Sequence, residues 1–195
     1  MTEPTPSPLL DEMKARGGIT GDHHGREVVR RFGDPAAEYA AASEKAGVFD
    51  RSHRTRLVVK GKAPGQMLDG LLTGAIPAAP SEWAEGVLGG RATYHCVLTP
   101  KGKMISDLWA WSLGDEETEG YLLDVPVAGR EGLLEHFGTF LPPRMATVED
   151  VSAETAMITV TGPDAAALLS RTALGLRVED HVLSALEEGA YRDAA

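Results

Sequence analysis

The stretch from residue 94 to residue 111 constrains the fold of this chain most, because it reads as two strands joined by a tight turn. Pro100 fits the second position of a type I turn, since its ring presets φ, and Gly102 fits the left-handed conformation that often follows. Side chains alternate along the second strand, with Ile105, Asp107, Trp109 and Trp111 on one side and Met104, Ser106, Leu108 and Ala110 on the other. We therefore expect one carboxylate to share a face with two indole rings.

Whether Tyr94 joins that face depends on the length of the hairpin loop. A loop of two or four residues places Tyr94 and Asp107 on the same face, whereas a three-residue loop with a glycine bulge places them on opposite faces. A carboxylate beside aromatic rings loses solvation, which raises its proton affinity unless a partner offsets the cost. The hairpin therefore predicts either an acid or base beside Tyr94, or an ordinary amphipathic hairpin with a solvated Asp107.

Composition limits the partners of this chain. Its 195 residues are 43% hydrophobic and carry a formal net charge of -10. This is enough for one large globular domain or two small ones, and it argues against nucleic acid or an anionic membrane as the main partner, because both call for a basic face. A local cluster of basic residues is expected to occupy solvent-facing strand positions: Arg51, Arg54, Arg56, Lys60 and Lys62.

Cysteine use and the N-terminal sequence bear on location. Cys96 is the single cysteine, so the chain forms no internal disulfide, and its apolar strand favours a small core residue over a nucleophile. No apolar run approaches membrane-spanning length, and the first residues lack the pattern of a signal peptide. His23 and His24 have no further ligands at a suitable spacing, so no metal site is predicted. We expect a cytoplasmic protein.

A pattern of strand, glycine and helix occurs twice. The β-branched residues 57–59 end at Gly61 and lead into helical spacing over 63–72, and residues 157–161 end at Gly162 before a second helix that begins at Pro163. This recurrence indicates a weak internal duplication.

The remaining elements favour a mixed α+β domain over a doubly wound parallel sheet. Residues 1–30 are expected to form an N-terminal arm, and Asp34 is expected to cap an alanine-rich helix over 36–46. Loops are predicted at 75–80 and 114–120, strands at 121–125 and 144–151, and a helix at 130–140. The chain has no phosphate-binding glycine loop, paired Cys-x-x-Cys or nucleophile elbow.

Several motifs together resemble the folate-binding family of the glycine-cleavage T-protein and YgfZ. They are Gly47-Val48-Phe49-Asp50-Arg51-Ser52-His53, Leu57-Val58-Val59-Lys60-Gly61, Leu71-Leu72-Thr73, Leu98-Thr99-Pro100-Lys101-Gly102-Lys103, Ser106-Asp107-Leu108 and Thr161-Gly162-Pro163. The resemblance implies a fold of duplicated α+β units over residues 31–195 that binds tetrahydrofolate. It also implies that Asp107 is catalytic and contacts the cofactor with Tyr94, and Trp111 is a further candidate for lining the folate channel.

Departures from the family pattern leave three functions open. Gly74-Ala75 stands where a T-protein usually has Asn-Asp, and Lys101-Gly102-Lys103 leans toward YgfZ. The later folate-binding glutamate and the YgfZ signature are expected beyond residue 190, so the domain is interpreted as lacking its C-terminal part. The first interpretation is a YgfZ-like accessory factor for iron–sulfur enzymes or tRNA modification, with a possible protein client. The alternatives are a tetrahydrofolate-dependent aminomethyltransferase and a degenerate scaffold.

Overall fold

The computed structural model describes residues 6–84, 87–114, 119–172 and 187–192. Its contacts divide the chain into two compact units, one formed by residues 1–53 and 152–187 and the other by residues 54–151 and 188–195. No helix among the described residues is long and apolar enough to cross a membrane. The boundary predicted at residue 30 stays a prediction, and residues 115–118 of the expected acidic loop lie outside the described residues.

The secondary structure is the mixed α+β arrangement that the sequence predicts. The helices in the described residues are α1 (Leu10–Ala15), α2 (Pro35–Glu44), α3 (Pro64–Asp69), α4 (Arg130–Phe140) and α5 (Ala165–Thr172). The strands there are β1 (Ile19–His23), β2 (Arg26–Arg31), β3 (Gly47–Asp50), β4 (Thr55–Gly61), β5 (Ser81–Ala84), β6 (Val87–Arg91), β7 (Thr93–Leu98), β8 (Met104–Ser112), β9 (Gly120–Val125), β10 (Ala146–Asp150), β11 (Ile158–Thr161) and β12 (Ala190–Arg192).

The first unit contains two small antiparallel sheets, β1 with β2 and β3 with β11. The β1–β2 hairpin lies within the predicted arm and was not foreseen; it turns at His24 and Gly25, both with positive φ. A two-residue turn of this kind matches the right-handed twist of the strands that it joins. Helix α2 begins as predicted, because the Asp34 side chain accepts a hydrogen bond from the amide of Ala37 at 3.1 Å.

The second unit is built on a five-stranded antiparallel sheet with the order β10-β4-β9-β8-β7. Its inner face packs against α3 and α4, and alternate residues of the strands are buried there, including Leu57, Leu108 and Leu123. Leu68 from α3 and Leu133 and Phe137 from α4 complete this core. Both helices therefore cover one face of the sheet, and side chains of opposite parity project from the other face.

Both predicted strand-glycine-helix segments form, and each glycine is required by its backbone. Gly61 has φ +150° and Gly162 has φ +100°, a region that residues with a side chain rarely adopt. A Cβ at Gly61 would lie 2.7 Å from the carbonyl oxygen of Met145, and one at Gly162 would lie 2.5 Å from two backbone oxygens. Both strands therefore end at a glycine with positive φ that lies against neighbouring backbone atoms.

A buried histidine secures the edge of the five-stranded sheet. His95 of β7 is 1% exposed; its Nδ1 lies 2.5 Å from the carbonyl oxygen of Thr73 and its Nε2 lies 2.6 Å from Thr93 Oγ1. Because a carbonyl oxygen only accepts, Nδ1 carries a hydrogen and donates it to Thr73. Thr73 also bonds the backbone of Cys96 in both directions, so the segment after α3 is pinned to β7.

We expect Gly61→Ala to lower the free energy of unfolding by about 1–3 kcal/mol, because it places a side chain at positive φ against the Met145 backbone. Urea unfolding followed by circular dichroism measures this change. Gly138→Ala is the matched control, since Gly138 lies in α4 and no neighbouring atom comes within 4 Å of the position that a methyl group would take. It should raise stability by about 0.5–1 kcal/mol, and equal effects of both substitutions would contradict the assignment.

Candidate functional site

The β7–β8 hairpin closes with the turn that the sequence predicts. The amide of Gly102 donates to the carbonyl oxygen of Thr99 at 2.8 Å, so Pro100 occupies the second turn position, and Gly102 has φ +79°. The amide of Thr99 in turn donates to the carbonyl oxygen of Lys103 at 2.8 Å. This is the three-residue loop with a left-handed glycine.

The three-residue loop alone would place Tyr94 and Asp107 on opposite faces, but a bulge in β8 returns them to the same face. Leu98 is opposite Met104, but Val97 is opposite Ser106, so Ile105 is an extra residue in β8. The extra residue restores the parity, and Tyr94 comes to lie opposite Trp109 on the same face as Asp107. Ile105 departs from the predicted alternation, because it packs against the core beside Gly132 of α4 and not on the face of Asp107.

Tyr94 and Asp107 form a hydrogen-bonded pair on the sheet face that α3 and α4 leave uncovered. The Tyr94 hydroxyl donates to Asp107 Oδ2 at 2.8 Å, and no hydrogen bond among the described residues uses Asp107 Oδ1. The Tyr94 ring contacts Trp109 with ring centroids 5.5 Å apart and planes inclined by 60°. Tyr94 is 53% exposed, so this pair is accessible from solvent within its unit.

The hydrogen bond changes the acidity of the phenol. Donation to the Asp107 carboxylate raises the pKa of Tyr94 above its ordinary value, with smaller contributions from desolvation and from the Asp107 charge. The charge of Arg54 acts in the opposite direction. Tyr94 therefore holds its proton more firmly than a solvated tyrosine and remains a hydrogen-bond donor to the carboxylate.

An ion pair that the sequence did not reveal lies on the same face. Arg54 Nε is 2.7 Å from Asp124 Oδ1 and 2.8 Å from Oδ2, and the two side chains are 14% and 5% exposed. Arg56 is also buried. The expectation that the basic cluster faces solvent is thus wrong for Arg54 and Arg56, and no spacing rule links Arg54 to an aspartate 70 residues later.

The strand register places these groups in two rows across the sheet. Tyr94, Trp109, Asp124 and Arg56 are successive cross-strand neighbours in the first row. In the second row Cys96 is opposite Asp107. Arg54 comes directly before β4 and has the same parity as Arg56, so it faces the same side of the sheet. Trp109 therefore lies between the Tyr94–Asp107 pair and the Arg54–Asp124 pair.

Trp111, the third predicted site residue, lies further along the same face of β8. It borders a pocket of about 280 Å³ lined by Pro80, Leu88, Trp111, Ser112, Leu113, Leu122 and Tyr191. Trp111 is four positions along the strand from Asp107, a distance of about 13 Å. The structure thus brings Tyr94 and Asp107 together and leaves Trp111 apart, so a ligand would have to extend along the strand to touch both places.

The other residues considered in the sequence take no part in this pair of rows, apart from Cys96, which is half-buried beside Asp107. His23 forms ring contacts with both His24 and His53, each with centroids 4.8 Å apart. No group of three or more histidine, cysteine or acidic residues in the described ranges is placed to hold a metal ion.

Comparison with known proteins assigns the family. The model of the GCVT N-terminal domain matches residues 9–187, and the chain therefore belongs to this family. This result confirms the resemblance and the fold class that the motifs predict.

The similar curated proteins are aminomethyltransferases. The one from Cutibacterium acnes is 32% identical over 165 residues, which cover 85% of this chain and 42% of that protein. The one from Rubrobacter xylanophilus is 31% identical over 163 residues, with 84% and 41% covered. The chain thus spans less than half the length of these relatives.

A solved structure shares the fold. The glycine cleavage system aminomethyltransferase T from Bartonella henselae superposes with a TM-score of 0.71 and 20% identity, covering 89% of this chain and 44% of that one. The fold of the described residues therefore corresponds to less than half of that molecule.

We expect the phenol of Tyr94 to ionise above the ordinary tyrosine pKa of about 10, and Asp107→Asn to lower that pKa by removing the carboxylate. NMR of carbon-labelled tyrosine, assigned with Tyr94→Phe, follows the titration. Because the folded-state pKa is raised, the stabilisation from this bond is present below about pH 10 and is lost as pH rises through the raised pKa. Asp69→Asn, an exposed substitution on α3, should leave the titration unchanged. An ordinary pKa for Tyr94 in the unmodified protein would contradict the hydrogen bond.

Proposed function

We propose that this chain is the tetrahydrofolate-binding domain of an aminomethyltransferase. The observation that carries the proposal is the Tyr94–Asp107 pair, because the family resemblance assigns folate contact to these two positions and they meet at 2.8 Å on an open sheet face. Membership of the GCVT N-terminal domain family and the similarity to aminomethyltransferases support it. A cytoplasmic location stays part of this proposal.

The chemistry of the pair suits a reduced pterin. A tetrahydropterin has a planar pyrimidine half and several N–H donors, and the uncommitted Asp107 Oδ1 offers an acceptor beside Tyr94, whose ring contacts Trp109. Tyr94 donates to Oδ2, which fixes the rotation of the carboxylate and directs Oδ1 at the ligand. The residues present therefore fit the cofactor that the family resemblance implies.

Asp107 would have two roles in the transfer. Bound tetrahydrofolate supplies the nitrogen atoms that take up the one-carbon unit. The Asp107 carboxylate would hydrogen-bond those amines and would stabilise a positive charge near them. Tyr94 keeps Asp107 in place and presents its ring as a stacking surface. Trp111 would contact the distal part of the cofactor, since its pocket lies further along β8.

The accessory interpretation depends on a different observation, the Lys101-Gly102-Lys103 turn that leans toward YgfZ. Those residues form an exposed hairpin tip, where the sequence serves the turn itself. The aminomethyltransferase reading draws on more of the chain, so we favour it over the accessory factor and the scaffold.

We expect the protein to bind tetrahydrofolate under reducing conditions, and Asp107→Asn and Asp107→Ala to weaken binding by about 1–3 kcal/mol, the usual cost of losing a charged hydrogen-bond partner. Isothermal titration calorimetry measures both. Asp69→Asn should bind as the unmodified protein does. Equal affinity for all four proteins would remove Asp107 from the site, and no binding by the unmodified protein would refute the proposed function.

Turnover separates the enzymatic reading from a role in binding alone. The substrate would be an aminomethylated carrier protein, the protein partner. The carbon would leave the carrier and ammonia for the two tetrahydrofolate nitrogens, and the two N–H protons displaced would go to the freed carrier group and to ammonia, so the products are methylene-tetrahydrofolate, ammonia and the unloaded carrier. Product that forms with the unmodified protein and falls with Asp107→Asn supports the transferase. Cofactor binding without product would favour the accessory role.

A further inference from the structure

Arg54 and Asp124 form a buried ion pair on the sheet face of the proposed cofactor site. Removing both charges from water carries a desolvation penalty, and a buried ion pair is often no more stable than apolar residues of similar volume. This pair nevertheless lies where β4 begins and β9 ends, with the side chains 14% and 5% exposed. The ion pair therefore contributes little to the stability of the fold, and a role for the Arg54 guanidinium in binding is a better reason for its presence.

The geometry directs one edge of Arg54 away from its partner. Nε donates to both carboxylate oxygens of Asp124, and Nη2 lies 3.4 Å from the Asp124 carbonyl oxygen. Among the hydrogen bonds of the described residues, none uses Nη1 of Arg54. In the part of the chain that the structure describes, the one buried side-chain atom without a hydrogen-bond partner is Nε of Arg26, so Nη1 of Arg54 is in contact with solvent.

The space beside Nη1 lies on the same sheet face as the Tyr94–Asp107 pair. Arg54 bonds Asp124, Asp124 is opposite Trp109, and Trp109 is opposite Tyr94, so Asp124 and Tyr94 are two strand spacings apart, about 10 Å. The positive charge of Arg54 makes a small contribution to the pKa of Tyr94, which acts against the overall rise caused by the Asp107 hydrogen bond. Trp109 forms the floor between the two pairs.

We propose that Arg54 is a ligand-binding residue of this site, held in place by Asp124 so that its Nη1 edge donates hydrogen bonds to an oxygen of the cofactor lying over Trp109. This inference rests on the proposed function, because it takes the ligand to be a reduced folate. Two kinds of oxygen have the required chemistry, the pterin carbonyl and a carboxylate of the glutamate tail. Asp124 is then a positioning residue.

The test compares variants that separate binding from folding. Arg54→Met alone leaves Asp124 buried without its partner, so the main variant is the double replacement Arg54→Met with Asp124→Leu, which removes both charges at similar volume. Arg54→Lys keeps the charge but not the planar donor edge. Arg130→Met is the matched control, because Arg130 forms an ion pair with Asp150 at 2.8 Å elsewhere in the same unit.

Calorimetry with tetrahydrofolate should show affinity about 10- to 100-fold lower for the double variant, an intermediate loss for Arg54→Lys and no change for Arg130→Met. Urea unfolding should give the double variant a midpoint close to that of the unmodified protein. If Arg54 had only a structural role, a loss of binding would be accompanied by a lower midpoint. A methyl-tetrahydropterin without the glutamate tail identifies the oxygen: an equal loss for both ligands assigns the pterin carbonyl, and a loss for tetrahydrofolate alone assigns the tail carboxylate.

Two results would overturn the inference in distinguishable ways. If the unmodified protein binds tetrahydrofolate and Asp107→Asn weakens it, while the folded double variant binds normally, Arg54 has no part in the site and the proposed function stands. If the unmodified protein does not bind tetrahydrofolate, the proposed function fails and the role of Arg54 fails with it.

Discussion

The register of the β7–β8 hairpin determines which of its side chains face the same side of the sheet, and so whether Tyr94 and Asp107 can meet. The three-residue loop at Pro100 to Gly102 would by itself place Tyr94 and Asp107 on opposite faces of the sheet. The extra residue Ile105 shifts the register once more, so both side chains project from the face that α3 and α4 leave uncovered. The 2.8 Å hydrogen bond, the contact with Trp109 and the row that continues to Asp124 all depend on this second shift.

The inner face of the same sheet supplies the rigidity on which this arrangement depends. Leu57, Leu108 and Leu123 are fully buried beneath the two helices, and their alternation fixes which residues of each strand point outward. Truncating a buried leucine in such a core typically costs about 2–5 kcal/mol, so slippage of a strand by one residue would expose several such side chains at once. The outer face can therefore carry an unpaired carboxylate oxygen and a buried ion pair without loss of register.

The sequence predicted the local elements well, because their signals are local. Asp34 and Pro35 start α2, Pro100 and Gly102 form the turn, and both strand-glycine-helix segments appear as expected. Parity was not predictable, since no turn residue marks the bulge at Ile105, whose side chain packs beside Gly132 of α4. The Arg54–Asp124 pair was missed for a similar reason: a buried arginine and a solvated one look alike in sequence, and only the register of β4, β9 and β8 joins them. The β1–β2 hairpin was not predicted, because a histidine occupies its first turn position, where asparagine or aspartate is the usual signal.

Thr73 has a consequence for how this molecule meets other molecules. Strand β7 lies at the border of its sheet, where unsatisfied backbone groups invite another polypeptide to add as a new strand. The amide of Thr73 donates to the carbonyl oxygen of Cys96, its hydroxyl accepts from the Cys96 amide, and Leu72 bridges to Val97. Residues 72 and 73 therefore occupy the edge positions of β7 beside Cys96 and Val97. Another polypeptide could not pair with β7 at these positions, which lie close to Tyr94 in the hairpin.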